Sequence, residues 1–380
     1  MGGRKNVLWL GWVSFFTDVS SEMIFPILPI FLTTVLKANM AAVGFIEGIA
    51  ESTSALLKMF SGVISDKYRK NKLMVLLGYG FSTVTKPLLA VSTSWTHVLG
   101  VRFADRVGKG LRTSPRDALI AASVSRGERG KYFGLHRMMD TLGAILGTII
   151  AATLLNIFVG NFRLIFWLSL IPGTIAILII IFCVKEKKTE TNKDFKFSLK
   201  GLPGSYKRFL FVVTVFNLSF FSYAFFILRA QDMGVAIALI PVVYLVYNLV
   251  YAGLAMPAGH LSDRIGRRNV LAIGYLLFGI TCLGFAFFAT DITIWALFAL
   301  YGLFMAITDG VSRAYVSDVV EEGRRGTALG VYHTIVGVTV FPANFIGGIL
   351  WSLMGVTAPF IYAFILSGIS SVLMLSIVRR

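Results

Sequence analysis

Apolar residues recur along this chain in long runs, separated by short polar segments, and the length of those runs sets the first reading. A helix needs about 20 mostly apolar residues to cross the hydrocarbon core of a bilayer, because unpaired backbone groups find no water there. That window predicts twelve spans, near 7–35, 41–64, 72–93, 96–119, 131–157, 162–184, 207–230, 235–260, 269–290, 292–317, 327–353 and 356–378. The expected class is an all-α membrane protein. Composition agrees: 56% of the 380 residues are hydrophobic and only 14% are charged, outside the balance of an ordinary globular domain.

The formal net charge of +17 raises the question of nucleic acid. The bases, however, lie in short clusters between apolar runs rather than on one amphipathic surface, so nucleic-acid binding is not expected. One set of connections holds Lys67, Arg69, Lys70 and Lys72, then Arg126, Arg129 and Lys131, then Lys185, Lys187 and Lys188, then Arg264, Arg267 and Arg268, then Arg324 and Arg325. The alternate connections hold little beyond Lys37 and Arg163. An excess of cytoplasmic Lys and Arg orients membrane proteins, so both termini and the basic loops are expected on the cytoplasmic side of a prokaryotic inner membrane. The first run carries Asp18 and Glu22 and lacks a small-residue cleavage site, so it reads as a retained span. Cys183 and Cys282 fall inside apolar runs and supply no disulfide or metal spacing, and no metal or cofactor is expected.

The longest polar stretch, 185–206, divides the chain into expected bundles of six spans, 1–184 and 207–380. The halves repeat: Gly62 and Gly259, Asp66 and Asp263, and Arg116 and Arg313 are each 197 positions apart. An even span count per half gives both copies one orientation, a parallel repeat about a pseudo-twofold axis.

"GHLSDRIGRR" at 259–268 resembles the signature loop of the major facilitator superfamily, G-x-x-x-D-R-x-G-R-R, at Gly259, Asp263, Arg264, Gly266, Arg267 and Arg268. The first-half copy keeps Gly62, Asp66 and Lys70 but has Lys67 and Arg69 at two fixed positions, whereas most of the family has its stronger copy in the first half. The resemblance covers the whole chain and implies a transporter of six plus six helices, without indicating a substrate. Physically, glycine permits close helix approach, and the acid is expected to pair with a cation at the inner end of span four or ten: Arg112 or Arg116 for Asp66, Arg313 for Asp263. Such a latch would hold a cytoplasmic gate. The plainer alternative is that these bases only set topology.

Ionisable groups inside spans cost roughly 2.5–3.5 kcal/mol each at a helix centre, so something must offset them. Span one has Asp18 and Glu22, followed by Pro26 and Pro29, which are expected to kink it; span two has Glu47, Glu51 and Lys58; span three has Lys86; span five has His136, Arg137 and Asp140. Span four is densest. Arg102, Arg106 and Lys109 share one helical face, with Asp105 beside them. The resemblance extends there, to the R-x-D-R-x-x-x-G pattern of proton-coupled members, carried over to Arg102, Asp105, Arg106 and Gly110 with one residue more between Arg102 and Asp105 than the pattern has. A carboxylate whose cation partner comes and goes can load and release a proton, which makes Asp18 and Glu22 the preferred carriers, ahead of Glu51, Asp105 and Asp140. The competing reading is a static salt-bridge network tying these spans together.

The second half differs in kind. Tyr244, Tyr247, Asn248 and Tyr251 form one polar-aromatic stripe on span eight, with Asn217 on span seven, suited either to an amphipathic organic solute or simply to helix packing.

The expected function is secondary transport of a small organic solute by alternating access, with the proton as coupling ion. Span five keeps Gly143 and Gly147 of a motif frequent in proton antiporters but has Thr148 where its proline belongs. Efflux by antiport is the first expectation and proton-coupled uptake the second, with a non-transporting receptor as the reading of another class. No phosphate-binding loop, nucleophile–base pair or metal-ligand spacing points to an enzyme. A monomer is expected.

Overall fold

The computed structural model of the chain describes residues 2–68, 70–125, 128–187, 202–321 and 324–378, and within these not the side chains at 2, 59, 62–68, 129 and 130. Every regular element among the described residues is helical. Numbered by span, they are α1 (Gly2–Glu22), α2 (Met40–Tyr68), α3 (Asn71–Thr85), α4 (Trp95–Ser123), α5 (Arg129–Ile157), α6 (Phe162–Phe182), α7 (Gly204–Asp232), α8 (Ile240–Ile265), α9 (Arg267–Phe287), α10 (Thr293–Val319), α11 (Arg325–Met354) and α12 (Ala358–Ser376). Ten are long and apolar enough to qualify as spans by themselves. The two that do not, α1 and α4, carry charge along their length, Arg4, Lys5, Asp18 and Glu22 in α1 and Arg102, Asp105, Arg106, Lys109, Arg112, Arg116 and Asp117 in α4, which depresses their hydropathy.

Proline explains most interruptions. The expected kink in span one is a full break: α1 stops at Glu22, residues 23–27 turn, and the chain resumes as Leu28–Ile30 and a π turn at Phe31–Val35. Pro26 and Pro29 cannot donate the backbone bonds that would have continued the helix. Span three likewise ends in a 3₁₀ turn, Lys86–Val91, that contains Pro87. By contrast Pro115, Pro257 and Pro342 sit inside helices that continue through them.

The chain forms two compact units, Met1–Ala38 with Ile49–Phe195, and Asn39–Gly48 with Lys196–Arg380. In the first, α1 packs on α5 and α6, and α3 packs on α4 and α6; in the second, α7 packs on α11 and α12, and α9 on α10 and α12. The same partners recur at the same places in each half, so the repeat read from three residue pairs is a repeat of packing. The units depart from chain order only at Asn39–Gly48, the first turns of α2. There Phe45 meets Phe341 and Phe345 with ring centroids 5.7 and 5.9 Å apart, and the amide of Ala41 donates to Ser352 Oγ at 3.0 Å.

The core of the first unit joins Val7, Leu10 and Val13 of α1 to Tyr79, Leu119 and Ile180. That of the second is aromatic, with Phe216, Phe226, Phe278 and Tyr301 ring against ring. On the opposite faces, Leu73, Leu77, Phe81, Val84 and Leu88 of span three stay exposed at helical spacing, as do Ile273, Leu276 and Ile280 of α9. Apolar stripes of this kind, on helices whose other faces are packed, are the lipid-facing surface.

The basic loops also do structural work. Lys72, at the start of α3, donates to the carbonyl of Ile181 near the end of α6 at 3.0 Å. Arg268, its counterpart at the start of α9, donates to Met374 O of α12 at 3.1 Å and to Leu375 O. Each cation covers carbonyls that the last helical turn cannot bond, where the helix dipole favours positive charge. The expected linker begins on an anchored segment, for Asn6 brackets Lys185 through Nδ2 to its carbonyl (3.1 Å) and Oδ1 from its amide (2.8 Å). Residues 188–201 of that linker lie outside the described residues.

Candidate functional site

The first unit gathers its ionisable residues where α1, α2, α4 and α5 meet. Small residues make this possible. A Cβ on Gly147 would lie 2.5 Å from Val19 O, and one on Gly143 would collide with Phe15 O, so the α5 backbone rests on α1 beside Asp18 and Glu22. Asp140 of α5 takes a short hydrogen bond from Ser14 Oγ and pairs with Arg137 at 3.6 Å. Asp18, partly buried, lies within electrostatic reach of Asp140, Glu22, Lys109 and Arg112.

α4 faces this pair with its bases. Arg106, 2% exposed, holds Glu51 of α2 through Nη2 at 2.7 Å, while the Glu51 carboxylate is 37% exposed. Arg102 approaches Asp105 at 4.0 Å, and Asp105 accepts a short hydrogen bond from Ser82. The ring of Phe25, within the break in span one, has both Arg102 and Arg106 guanidinium carbons 4.9 Å from its centroid, a double cation–π contact that helps these charges tolerate burial. Lys86 is buried at the end of span three and donates to Ser21 Oγ (2.8 Å) and Ser20 Oγ (3.2 Å) on α1. Glu22 thus has Lys109, Arg106, Lys86 and Arg102 around it, and its Oε2 has no hydrogen-bond partner.

The second unit holds the aromatic stripe. Tyr244, Tyr247 and Tyr251 follow one another with centroids 5.4 and 6.3 Å apart, extended by Tyr223 at 5.2 Å from Tyr244 and by Tyr301 of α10 at 4.8 Å from Tyr247. Its basic-loop end is polar: Tyr251 OH donates to Asp309 Oδ2 at 2.7 Å, and Arg313 donates to the same oxygen at 2.6 Å. The amides of Asn248 and Asn217 turn back onto their own helices, to Tyr244 O (3.4 Å) and Val213 O (2.8 Å).

The signature loop is wired differently from the sequence expectation. Asp263 meets Arg267 at 3.3 Å, and Arg267 reaches on to Asp318 at 2.5 Å; Arg313 pairs with Asp309. Arg313 lies one turn after Asp309 on α10, so the local acid takes it. A Cβ on Gly259 would meet nothing within 4 Å, so the close approach expected there is not made. The glycine that the backbone requires is Gly266, whose φ of +88° turns α8 into α9. Arg264 lines a groove with Pro257, His260 and Leu261. In the first half, Arg112 stacks over Tyr79 at 4.1 Å and Arg116 pairs with Asp117 at 2.9 Å; the surroundings of Gly62 and the side chain of Asp66 lie outside what is described.

Sequence reasoning missed Phe25, Tyr301, Asp318 and the serines that serve the charges. Ser14, Ser20, Ser21 and Ser82 were detectable only as hydroxyls in apolar runs; the contacts of Phe25 and Tyr301 left no local signal.

The Major Facilitator Superfamily model matches residues 10–228 and 209–380. An uncharacterized MFS-type transporter of Methanocaldococcus jannaschii is 42% identical over 98% of this chain and 95% of its own length. The multi-drug resistance efflux pump PmrA of Streptococcus pneumoniae is 26% identical over 70% of this chain and 69% of its own. The crystal structure of the nucleoside transporter NupG superposes with a TM-score of 0.76 over 97% of both chains at 14% identity, a likeness of fold.

Proposed function

The chain belongs to the major facilitator superfamily and is an integral multi-pass membrane transporter, and from that premise we propose that it moves a small organic solute by proton-coupled alternating access. The observation that carries the coupling is that Asp18 and Glu22 of α1 lie within electrostatic reach of Lys109, Arg106 and Arg112 of α4. Carboxylates held among movable cations are stable both charged and neutral, which is what a proton carrier requires. Glu51, Arg102, Asp105, Arg106 and Asp140 complete the relay by exchanging partners as helices move. The tyrosine stripe with Asn217 and Asn248 offers the solute an aromatic wall. The signature-loop pairs, with Gly62, Asp66, Arg112, Arg116, Gly259 and Arg264, form the cytoplasmic gate of a monomer whose termini face the cytoplasm.

Efflux in exchange for protons is the proposed direction, supported by the likeness to an efflux pump. A second reading, uptake together with protons, is favoured by the four bases around Glu22, since a neutralised Glu22 leaves them ready for an anion. Proteoliposomes carrying an internal pH dye and exposed to a panel of solutes test both. Antiport drives protons opposite to the solute and symport drives them with it; solute flux that never moves the dye contradicts proton coupling.

A further inference from the structure

We propose that Arg106 is a receptor for a carboxylate of the transported solute, so that the solute class is a small organic anion; this rests on the transport reading above. Arg106 is 2% exposed, and its Nε and Nη1 have no hydrogen-bond partner. Such donors are costly to bury unless something meets them during the working cycle. Glu51 meets only the donor between them, Nη2, at 2.7 Å. In a guanidinium Nη2 shares one edge with Nε and the other with Nη1. A carboxylate replacing Glu51 can therefore form two parallel bonds along either edge, the arrangement in which arginine binds carboxylates best.

The surroundings fit exchange rather than a permanent pair. The Glu51 carboxylate is 37% exposed while Arg106 is almost fully buried, so the acid stands at the accessible side of the base and can leave toward water. Phe25 packs on the face of the guanidinium, which fixes its plane and leaves its edges for ligands. Lys109, one turn on and on the same face of α4, adds a second cation. The groups facing Arg106 are Glu22 and Asp105 besides Glu51, with Lys109, Lys86, Lys58 and Arg102 nearby. Protonating Glu22 removes one resident negative charge from this ring and raises its attraction for an incoming anion. Proton and solute then bind in support of each other.

The test uses the full-length protein in detergent, with thermal stabilisation by benzoate, adipate and inorganic phosphate set against benzamide and adipamide. At least one carboxylate should stabilise the protein where its amide does not. Arg106→Gln should weaken that apparent affinity by about tenfold or more, with Arg106→Lys retaining part of it because the charge remains without the fork. Should Arg106→Gln fail to fold, Glu51→Gln decides: removing the resident competitor should tighten carboxylate binding, whereas a purely structural pair would only be weakened. Equal effects of acids and amides, stabilisation by phosphate alone, or unchanged carboxylate affinity in both Arg106→Gln and Glu51→Gln would overturn the proposal. Proton movement driven only by uncharged solutes would remove this inference and leave the transport reading standing. Carboxylate binding at Arg106 with solute flux that moves no protons would contradict the proton coupling and leave the carboxylate receptor standing.

Discussion

At the scale of single residues, the first unit shows how charges survive in a membrane protein: Asp105, Asp140, Glu51 and Lys86 each have a local partner, and several of those partners are hydroxyls. Asp105 is 4% exposed, bonded to Ser82 and close to Arg102. Removing one member of a buried pair leaves the other uncompensated, at a cost of about 3–5 kcal/mol. Asp105→Asn is therefore expected to lower unfolding stability by about that amount. Arg137→Gln, at a base 66% exposed on its pair with Asp140, should cost under about 1 kcal/mol. Unfolding titrations in mild detergent measure both, and equal losses would show that burial does not set the cost. Why partner choice was illegible from sequence is also a residue-scale matter. Asp263 and Arg313 stand at repeat positions that suggested a pair, yet Asp263 takes Arg267 and Arg313 takes Asp309. Which of several nearby charges wins depends on how each helix is rotated, and a linear spacing does not encode that.

At the scale of elements, glycines decide how near the charges come to one another. A Cβ on Gly78 would lie 2.7 Å from Gly108 O, and one on Gly147 would lie 2.5 Å from Val19 O, so α3 meets α4 and α1 meets α5 at backbone distance. Gly78→Leu and Gly147→Leu should each destabilise the protein by about 1–3 kcal/mol through overpacking. Gly80→Ala, where a Cβ meets nothing within 4 Å, should be close to neutral. Melting temperatures of the purified variants check this, and a Gly80→Ala loss as large as that of Gly147→Leu would contradict it. Gly266→Ala tests the turn between α8 and α9: a non-glycine residue at φ +88° should cost about 1 kcal/mol, while Gly259→Ala costs little. The signature motif thus showed that two glycines matter without showing which one the backbone needs. The helices themselves were largely legible, because an apolar run long enough to span can do little else in lipid. The break after Glu22 was foreshadowed by Pro26 and Pro29, whereas the interruption of α7 between Ser219 and Tyr223 has no proline to announce it.

At the scale of the whole molecule, the repeat is carried by packing as well as by sequence. Lys72 and Arg268 occupy matching places and cover the last carbonyls of the sixth helix in their own half. Their bases therefore contribute to the fold as well as to orientation. Lys72→Met and Arg268→Met should each lower stability by roughly 0.5–1.5 kcal/mol, with additive effects because the sites are independent. A double variant losing much more than both single losses together would show coupling that this scheme lacks. Division of the chain into two repeated units was readable from offsets of 197 residues. The membership of Asn39–Gly48 in the second unit was not, since a continuous apolar helix gives no sign that its two ends belong to different clusters.

The central claim is that Asp18 and Glu22 carry the proton that drives the solute. It is tested most directly by comparing solute-driven proton movement in proteoliposomes of the wild type and of the Asp18→Asn/Glu22→Gln double variant, with solute counterflow as the control for an intact carrier. The variant should exchange solute across the membrane while moving no protons. Proton movement at the wild-type ratio in that variant would contradict the account.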